Sequence, residues 1–338
     1  MKNILVVNVN WLGDVIFSTP IFRALKEHYP DAHISCLAVP RVREILECVP
    51  EVDEIICYDE RGAHRSLLAK WKLSRQLKQN NFDAAFLLRP SRSRAMMLWA
   101  AQIPQRIGYG KKGDRAFLTH VIPPLSEEAH RSDYYLNVVE SFGIKVSKRQ
   151  TYLRVSEQAE KEAQGLLQEH GIKTNEPFFV VNPGGNWHLK RWPVKSYIQL
   201  IERMLERWPT KIVLTGAPDD DVLANEIGMA VTHDHLVDLI GQTNLKQLMA
   251  IMRKAQAVVS ADSGPLHIAS SVGAKTVGLF GPTRPQVTGP RGLAKTKILE
   301  KPIGCNLQAC YFLECPSNLC MQVLKVEDVI RALESIAN

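Results

Sequence analysis

The segment from Val258 to Thr283 has the residue types, in the order, of a diphosphate-binding site. Apolar residues from Val258 predict a buried strand, a polar turn follows, and a second strand is predicted from Lys275 to Phe280. A helix that begins directly after a strand points unpaired N–H groups and the positive end of its dipole at a ligand above the sheet. The residues expected at this helix start are Asp262, Ser263, Gly264, Pro265 and His267. A histidine on a helix is usually structural, so a ligand contact by His267 is one of two readings.

A glycine turn follows another apolar strand in the middle of the chain. The strand is predicted at Phe178–Val181, and Asn182-Pro-Gly-Gly-Asn-Trp-His-Leu-Lys-Arg-Trp-Pro193 comes directly after it. Glycine permits close approach of the backbone to a ligand, and a nearby lysine supplies a compact charge for a diphosphate. The residues expected at the ligand are Gly184, Gly185, Asn186 and Lys190. Arg191 is a competing cation, and a surface lysine without a role is the alternative.

A third turn, Thr215-Gly216-Ala-Pro-Asp-Asp220, ends a further predicted strand. A carboxylate in such a turn often binds ribose hydroxyls, which makes Thr215, Gly216 and Asp220 candidates for nucleotide contact. Asp219 and Asp221 compete with Asp220, and a helix cap is an equally good interpretation of any of the three. Asp219–Asp221 also resembles a metal-binding Asp-x-Asp. Because Lys190 and a helix end already supply positive charge, we expect no metal.

Asp14 follows the first predicted strand and the turn that begins Asn10-Trp11-Leu-Gly. Its position at the mouth of the first sheet suits a general base, which removes a proton from a hydroxyl as that hydroxyl attacks. A plain helix cap is the alternative.

Positive charge is concentrated in one part of the chain. The net charge is +7, but Arg61 to Arg115 contains thirteen Lys/Arg and two acidic residues, a local balance of +11, so the rest of the chain carries −4. This asymmetry indicates an anionic partner. The candidate contacts are Arg61, Arg65, Arg89, Arg92 and Arg94. Nucleic acid is disfavoured because the nearby aromatic residues fall mostly at core-like positions rather than between the charges.

The composition is that of a globular protein, with 45% hydrophobic and 23% charged residues in 338. No apolar run approaches the ~20 residues of a membrane span. The chain enters a strand directly at its start, without a signal-peptide pattern, and has seven cysteines, an odd number. We therefore expect a cytoplasmic protein with reduced thiols.

Short apolar strands alternate with amphipathic helices in both halves, which predicts two doubly wound parallel sheets of the α/β class. The predicted domains are 1–155, 156–322 and a last helix within 323–338. A short strand near Tyr152 is expected to open the second domain. Gly108-Tyr-Gly-Lys-Lys-Gly113 spells a dinucleotide fingerprint but does not open a helix after the first strand, so we expect a basic, mobile loop instead.

Four cysteines recur every fifth residue near the end of the chain, at Cys305, Cys310, Cys315 and Cys320. The spacing lacks the paired C-x₂-C knuckles of zinc sites, so packing thiols are the preferred interpretation, with a metal as the alternative.

Three spaced motifs together resemble the bacterial heptosyltransferases of lipopolysaccharide core synthesis, glycosyltransferase family 9. The motifs that carry the resemblance are Gly13-Asp14, Lys190-Arg-Trp-Pro193 and the Asp262–His267 segment. The resemblance implies the GT-B fold, with two Rossmann-like domains facing a crevice and the last helix returning to the first domain. It also implies an inverting, metal-independent transfer without a cofactor, from ADP-heptose to the inner core of lipopolysaccharide.

The resemblance assigns roles to the candidate residues. Asp14 would be the base, Lys190 would neutralise the leaving diphosphate, and the second domain would bind the donor. Asn10, Trp11 and the arginines would meet an acceptor rich in phosphate and carboxylate, on a face that also approaches the anionic inner membrane. A relative with another donor or acceptor, a GT-B epimerase and a non-catalytic polyanion-binding protein are the alternatives. The heptose position and the oligomeric state stay open.

Overall fold

The computed structural model describes residues 1–111, 113–305, 310 and 315–337. The chain divides into two compact units, Met1–Arg154 and Val155–Asn338. Among the described helices, none is both long and apolar enough to cross a bilayer.

The first unit contains a parallel sheet in the order β3-β2-β1-β4-β5-β6. Its strands are β1 (Asn3–Val7), β2 (His33–Ala38), β3 (Glu54–Cys57), β4 (Ala84–Leu87), β5 (Gln105–Tyr109) and β6 (His120–Ile122). Its helices are α1 (Leu12–His28), α2 (Arg43–Leu46), α3 (Leu67–Gln79), α4 (Arg92–Ala100) and α5 (Arg131–Glu140). The central strands β1 and β4 are buried almost throughout, as expected for strands covered on both faces.

The second unit repeats this order, as β12-β11-β10-β7-β8-β9. Its strands are β7 (Phe178–Asn182), β8 (Lys211–Leu214), β9 (Leu236–Asp238), β10 (Val258–Ala261), β11 (Thr276–Leu279) and β12 (Thr296–Leu299). Its helices are α6 (Glu157–Glu169), α7 (Val194–Arg207), α8 (Asp221–Ala230), α9 (Leu245–Lys254), α10 (Gly264–Ser271), α11 (Pro285–Thr288), α12 (Leu319–Gln322) and α13 (Val326–Ala337).

The two sheets confirm the predicted fold class of two doubly wound parallel domains. In each sheet the chain reverses its direction of strand addition between two adjacent strands, β1 and β4 in one and β7 and β10 in the other. This switch point, at the carboxyl ends of the strands, is where open α/β sheets bind ligands.

Helix α13 packs against α7 and against β11 and β12 within the second unit. Its buried residues Val329 and Leu333 join the core of that unit together with Trp192, whose indole donates to the Leu324 carbonyl at 3.1 Å. A contact of this helix with the first domain stays a prediction.

Two local predictions were wrong. Residues 151–156 form no strand, because they do not pair with any strand of a sheet. The Arg154 N–H instead donates to the Cys48 carbonyl at 2.8 Å. Gly108 and Tyr109 do not lie in a loop but end β5, where Gly108 pairs with Leu87 and Val121. Gly108 is required there, since a Cβ would come within 2.8 Å of the Leu87 carbonyl oxygen. Lys112 of that segment lies outside the described residues.

Candidate active site

The second unit has a buried carboxylate, Asp262, at the end of β10. Lys190 Nζ lies 2.7 Å from its Oδ2, and Thr283 donates to the same oxygen at 2.6 Å. Thr288 also donates to Oδ2, at 3.3 Å, and His267 Nε2 lies 3.2 Å from the other oxygen, Oδ1. Asp262 is only 2% exposed, so its charge is held by these partners and not by bulk water.

The surroundings of Asp262 keep it ionised. Burial by itself raises the pKa of this carboxyl, but the hydrogen bond from His267 and the positive charge of Lys190 outweigh it and hold the pKa well below its usual range. Lys190 is fixed in place by this anion while its side chain keeps 23% of its surface exposed. An ammonium has three donors, so Lys190 retains donors for a ligand beside Asp262.

The strand β7 delivers Lys190 and β10 delivers Asp262, and the two strands are neighbours in the sheet. The Lys190–Asp262 ion pair therefore spans the switch point of the second sheet. Gly185 has φ +155°, and a Cβ there would lie 3.6 Å from Ser263 Cβ, so the glycine turn lies against the start of α10.

Helix α10 begins as the sequence predicted. Ser263 is its N-cap, without a side-chain capping bond, and Gly264 and Pro265 form its first turn. The Ser263 hydroxyl lies 3.2 Å from that of Ser260. The N–H groups of the first turn have no acceptor within the helix, which leaves them for an anion next to Lys190.

Asp220 is buried and already engaged. It accepts from Ala217 N–H at 3.0 Å and from Arg191 at 3.2 Å, and Arg191 also donates to the Gly185 carbonyl at 2.7 Å. A Cβ on Gly184 would come within 2.0 Å of Asp220 Oδ2, so a side chain at 184 would displace this carboxylate. Arg191, the competing cation, thus binds the loop that carries Lys190.

Other residues of the same edge differ in their access. Thr215 is fully buried and accepts from Asn182 Nδ2 at 3.2 Å, while Gly216 is partly buried beside Asp220. Asn186, on the glycine turn, is exposed. Asp219 and Asp221, which follow β8, are exposed as well. Contacts of these residues with a donor stay predictions.

In the first unit, Asp14 lies in the first turn of α1, partly buried. Trp11 occupies the N-cap position, so Asp14 does not cap the helix. Its Oδ1 accepts a hydrogen bond of 2.8 Å from the hydroxyl of Tyr135 on α5, which packs along α1. Among the described residues, no hydrogen bond to the second oxygen of Asp14 is found.

Tyr135 was not predicted from the sequence. Nothing in the sequence of α5 distinguishes the tyrosine that donates to Asp14 from the neighbouring Tyr134. Burial raises the pKa of Tyr135 well above its usual range, and the charge of Asp14 raises it further. The phenol therefore stays protonated and donates. Arg131 and Arg89 oppose the rise, which places two cations near the Asp14–Tyr135 pair, and Arg131 was also missed.

Arg94, Asn10 and Glu60 form a partly buried network at the loop after β1. Arg94 donates to the Asn8 carbonyl and to Asn10 Oδ1, both at 2.7 Å, and lies 3.4 Å from Glu60. Asn10 donates to Glu60 at 3.0 Å. Arg94 is only 7% exposed, so in this structure it holds the loop after β1.

The other predicted acceptor residues lie on the surface. Trp11 is exposed, with the Arg41 guanidinium 4.1 Å from its ring centre. Arg61, Arg65, Arg89 and Arg92 are exposed. Among the described residues, no hydrogen bond or ion pair joins Arg61 or Arg65 to Asp14, so only part of the predicted set is brought together.

The four late cysteines lie among described residues, although most of the chain between Cys305 and Cys315 does not. No cysteine of the chain forms a disulfide. Backbone N–H groups of Asn318 and Ser317 lower the pKa of Cys315, whereas burial raises that of Cys320. No group of three or more His, Cys, Asp or Glu in the described ranges could hold a metal ion.

Comparison with known proteins decides the family. A family model described as glycosyltransferase family 9 (heptosyltransferase) matches residues 70–310. The chain belongs to glycosyltransferase family 9. Among family 9 relatives, the lipopolysaccharide heptosyltransferase 2 of Salmonella typhimurium is 28% identical over 299 residues, 85% of each chain. A family 9 transferase from Veillonella parvula superposes with a TM-score of 0.90 at 25% identity, covering 99% of this chain and 97% of that one.

The E. coli ADP-heptose lps heptosyltransferase II superposes with a TM-score of 0.80 at 25% identity, over 100% of this chain and 98% of that one. These similarities confirm the predicted family, the GT-B class of two sheets, and glycosyl transfer as the activity. The individual site residues are tested by none of them.

Proposed function

We propose that this family 9 chain transfers L-glycero-D-manno-heptose from ADP-heptose to a sugar hydroxyl of the lipopolysaccharide inner core. The Lys190–Asp262 pair beside the start of α10 carries the proposal: it is a fixed cation next to free helix N–H groups, as a leaving diphosphate requires. Similarity to two heptosyltransferase 2 proteins, from Salmonella typhimurium and E. coli, supports the choice of sugar and acceptor.

The reaction is a single displacement with inversion at C1. Asp14, oriented by Tyr135, takes the proton of the acceptor hydroxyl as the oxygen attacks. The C1–O bond to the diphosphate breaks, and ADP leaves with its negative charge stabilised by Lys190 and the α10 N-terminus. The residues proposed for the donor are Gly184, Gly185, Asn186, Lys190, Thr215, Gly216, Asp220, Asp262, Ser263, Gly264, Pro265 and His267. No metal is required, because the chain supplies the positive charge.

The acceptor is proposed to bind the first unit. Arg89 and Arg131, whose charges act on Tyr135, match carboxylate or phosphate groups of a Kdo-containing core, as does Arg92 on α4. Asn10, Trp11, Arg61 and Arg65 complete the proposed acceptor set, with Arg94 bracing the loop. A lipid-linked acceptor implies contact with the anionic face of a membrane.

Calorimetric titration with ADP, GDP and UDP, each with and without EDTA, tests the donor assignment. We expect micromolar-range binding of ADP alone, unaffected by EDTA and lost in Lys190→Ala. Preference for UDP, or dependence on a metal, would overturn the proposal and point to a relative with another donor. Transfer from ADP-heptose to purified Kdo–lipid A and to its monoheptosylated form then identifies the acceptor.

A further inference from the structure

Helices α3 and α4 of the first unit carry large apolar side chains that the core does not use. The exposed fractions are 83% for Leu67, 62% for Leu68, 52% for Trp71, 43% for Met96 and 56% for Trp99. We call these five residues the α3–α4 surface. Single exposed apolar residues are ordinary, but five on two neighbouring helices indicate an interaction site.

Helical spacing groups these residues. Leu67, Leu68 and Trp71 are related by one, three and four positions on α3, and Met96 and Trp99 by three on α4, so each set lies on one helix face. The buried side of α3 is formed by Leu73, Ser74 and Leu77 instead. The two helices pack on each other, so both exposed sets belong to the same region of the first unit.

Positive charge surrounds this apolar set. Neither α3 nor α4 contains an acidic residue. Lys72, Arg75 and Lys78 are exposed on α3, and the Arg75 guanidinium lies 5.0 Å from the Trp71 ring centre. Tryptophan and leucine beside Lys and Arg on helix surfaces are typical of elements that lie in the interface of an anionic bilayer.

We propose that the α3–α4 surface binds the anionic face of a lipid bilayer, with Trp71 and Trp99 inserted at the headgroup level. The inference rests on the proposed function in one respect: a lipid-linked acceptor is met only at a membrane. It goes further by naming the face of the chain that touches the lipid. The proposed acceptor arginines belong to the same basic segment of the sequence as this surface.

Other occupants fit less well. A second copy of the chain would bring two surfaces of the same positive sign together, which costs free energy. A nucleic acid would pair with the lysines and arginines but would leave Leu67 and Leu68 without a partner, since stacking uses aromatic faces. A bilayer interface satisfies both the charges and the aliphatic side chains.

Vesicle flotation of the full chain tests the proposal, with vesicles rich in phosphatidylglycerol compared with phosphatidylcholine alone. We expect binding to the anionic vesicles, weakened by salt. The double variant Trp71→Ala/Trp99→Ala should bind at least about tenfold more weakly. Lys72→Ala/Lys78→Ala should lose about fivefold per charge, and only at low salt.

A matched control is Val222→Ala/Met229→Ala, which removes two apolar residues from α8 in the second unit that are even more exposed (74% and 85%) than Trp71 and Trp99. We expect its vesicle binding to equal that of the wild type. Brominated lipids should quench Trp fluorescence in the wild type, and the quenching should disappear in Trp71→Phe/Trp99→Phe, which keeps the apolar bulk.

Equal vesicle binding by the wild type and the Trp71→Ala/Trp99→Ala variant would overturn the inference, as would binding that single-stranded DNA displaces completely. ADP titration of the same samples separates this failure from that of the proposed function. A chain that binds ADP but not vesicles refutes only the α3–α4 surface. A chain that binds vesicles but no ADP refutes the proposed donor and leaves the surface standing.

Discussion

At the switch point of each sheet, a cation from one strand meets polar groups from the next, but the two cations are held differently. In the second unit Lys190, after β7, contacts Asp262, after β10. In the first unit Arg94, after β4, contacts Asn8 and Asn10, after β1. The same strand order therefore produces the same kind of contact twice.

The partners decide what each cation can do. Arg94 is 7% exposed, with two contacts to the loop after β1 and one to Glu60, so its donors are used inside the protein. Lys190 meets a single carboxylate and stays partly exposed, so it can bind an anion without losing its position. A cation at a switch point can bind a ligand only where some of its donors are left free, as they are on Lys190. The first unit instead offers the Asp14–Tyr135 pair, with Arg89 and Arg131 near it.

The largest effect is expected for Asp14→Ala. Removal of the proposed base should lower kcat by about 10²- to 10⁴-fold while ADP affinity, which we assign to the second unit, stays unchanged. Steady-state transfer assays and calorimetry on the same preparation measure both. Near wild-type turnover of Asp14→Ala would show that Asp14 is not the catalytic base.

Lys190→Ala should lower kcat by about 10²- to 10³-fold, because the charge on the leaving diphosphate loses its cation. ADP affinity should fall as well, in contrast to Asp14→Ala. Arg191→Ala is the matched comparison: Arg191 braces Asp220 and Gly185, so we expect a smaller loss of turnover. If Arg191→Ala were the more damaging of the two, the roles of these cations would have to be exchanged.

Asp262→Asn should lower the free energy of unfolding by about 2 kcal/mol at pH 7, since Lys190 and His267 lose a buried charged partner. The pKa of Asp262 is depressed in the folded state, so its contribution is fully present above the unfolded pKa near 4 and is lost progressively as the pH falls from there toward the depressed folded pKa. Urea unfolding between pH 7 and pH 3 should therefore show the gap between wild type and variant closing toward acid. The exposed Asp234 gives the control, Asp234→Asn, which should change stability little at any pH.

Tyr135→Phe should have the smallest effect, a loss of about fivefold in kcat with KM nearly unchanged. It removes one hydrogen bond that orients Asp14, worth about 1 kcal/mol, and leaves the carboxylate in place. The test compares kcat of Tyr135→Phe, of Asp14→Ala and of the double variant. Tyr135→Phe should add nothing to Asp14→Ala, and an additive loss would mean that Tyr135 acts elsewhere.

Much of the fold was predictable because strands buried on both faces are apolar runs. Strands β1, β4, β7, β10 and β11 were all predicted from such runs. The strands that were not predicted, β5, β6, β9 and β12, are short or carry polar residues, as in Gln105-Arg106 and Lys297. These strands form because they pair with neighbouring strands of the sheet, and the hydrophobic periodicity of their own sequence does not predict that pairing.

By itself the sequence determined the family, the two-sheet class and the turns that follow the central strands. These depend on local order: a strand, then glycine or a cap residue, then a helix, as in Val258–Ser271 and Phe178–Pro193. Such patterns are readable because backbone preference and burial act over a few residues.

Only the tertiary structure decided which partners the charged residues found. Asp14 meets Tyr135 across 121 positions, Lys190 meets Asp262 across 72, and Arg94 meets Asn8 across 86. Whether a carboxylate is a base, an anchor for a lysine or a loop brace depends on its burial and on the donors around it. Both are set by how distant strands align in the sheet, which is why one arginine of the basic segment became buried while the tryptophans of α3 and α4 stayed on the surface.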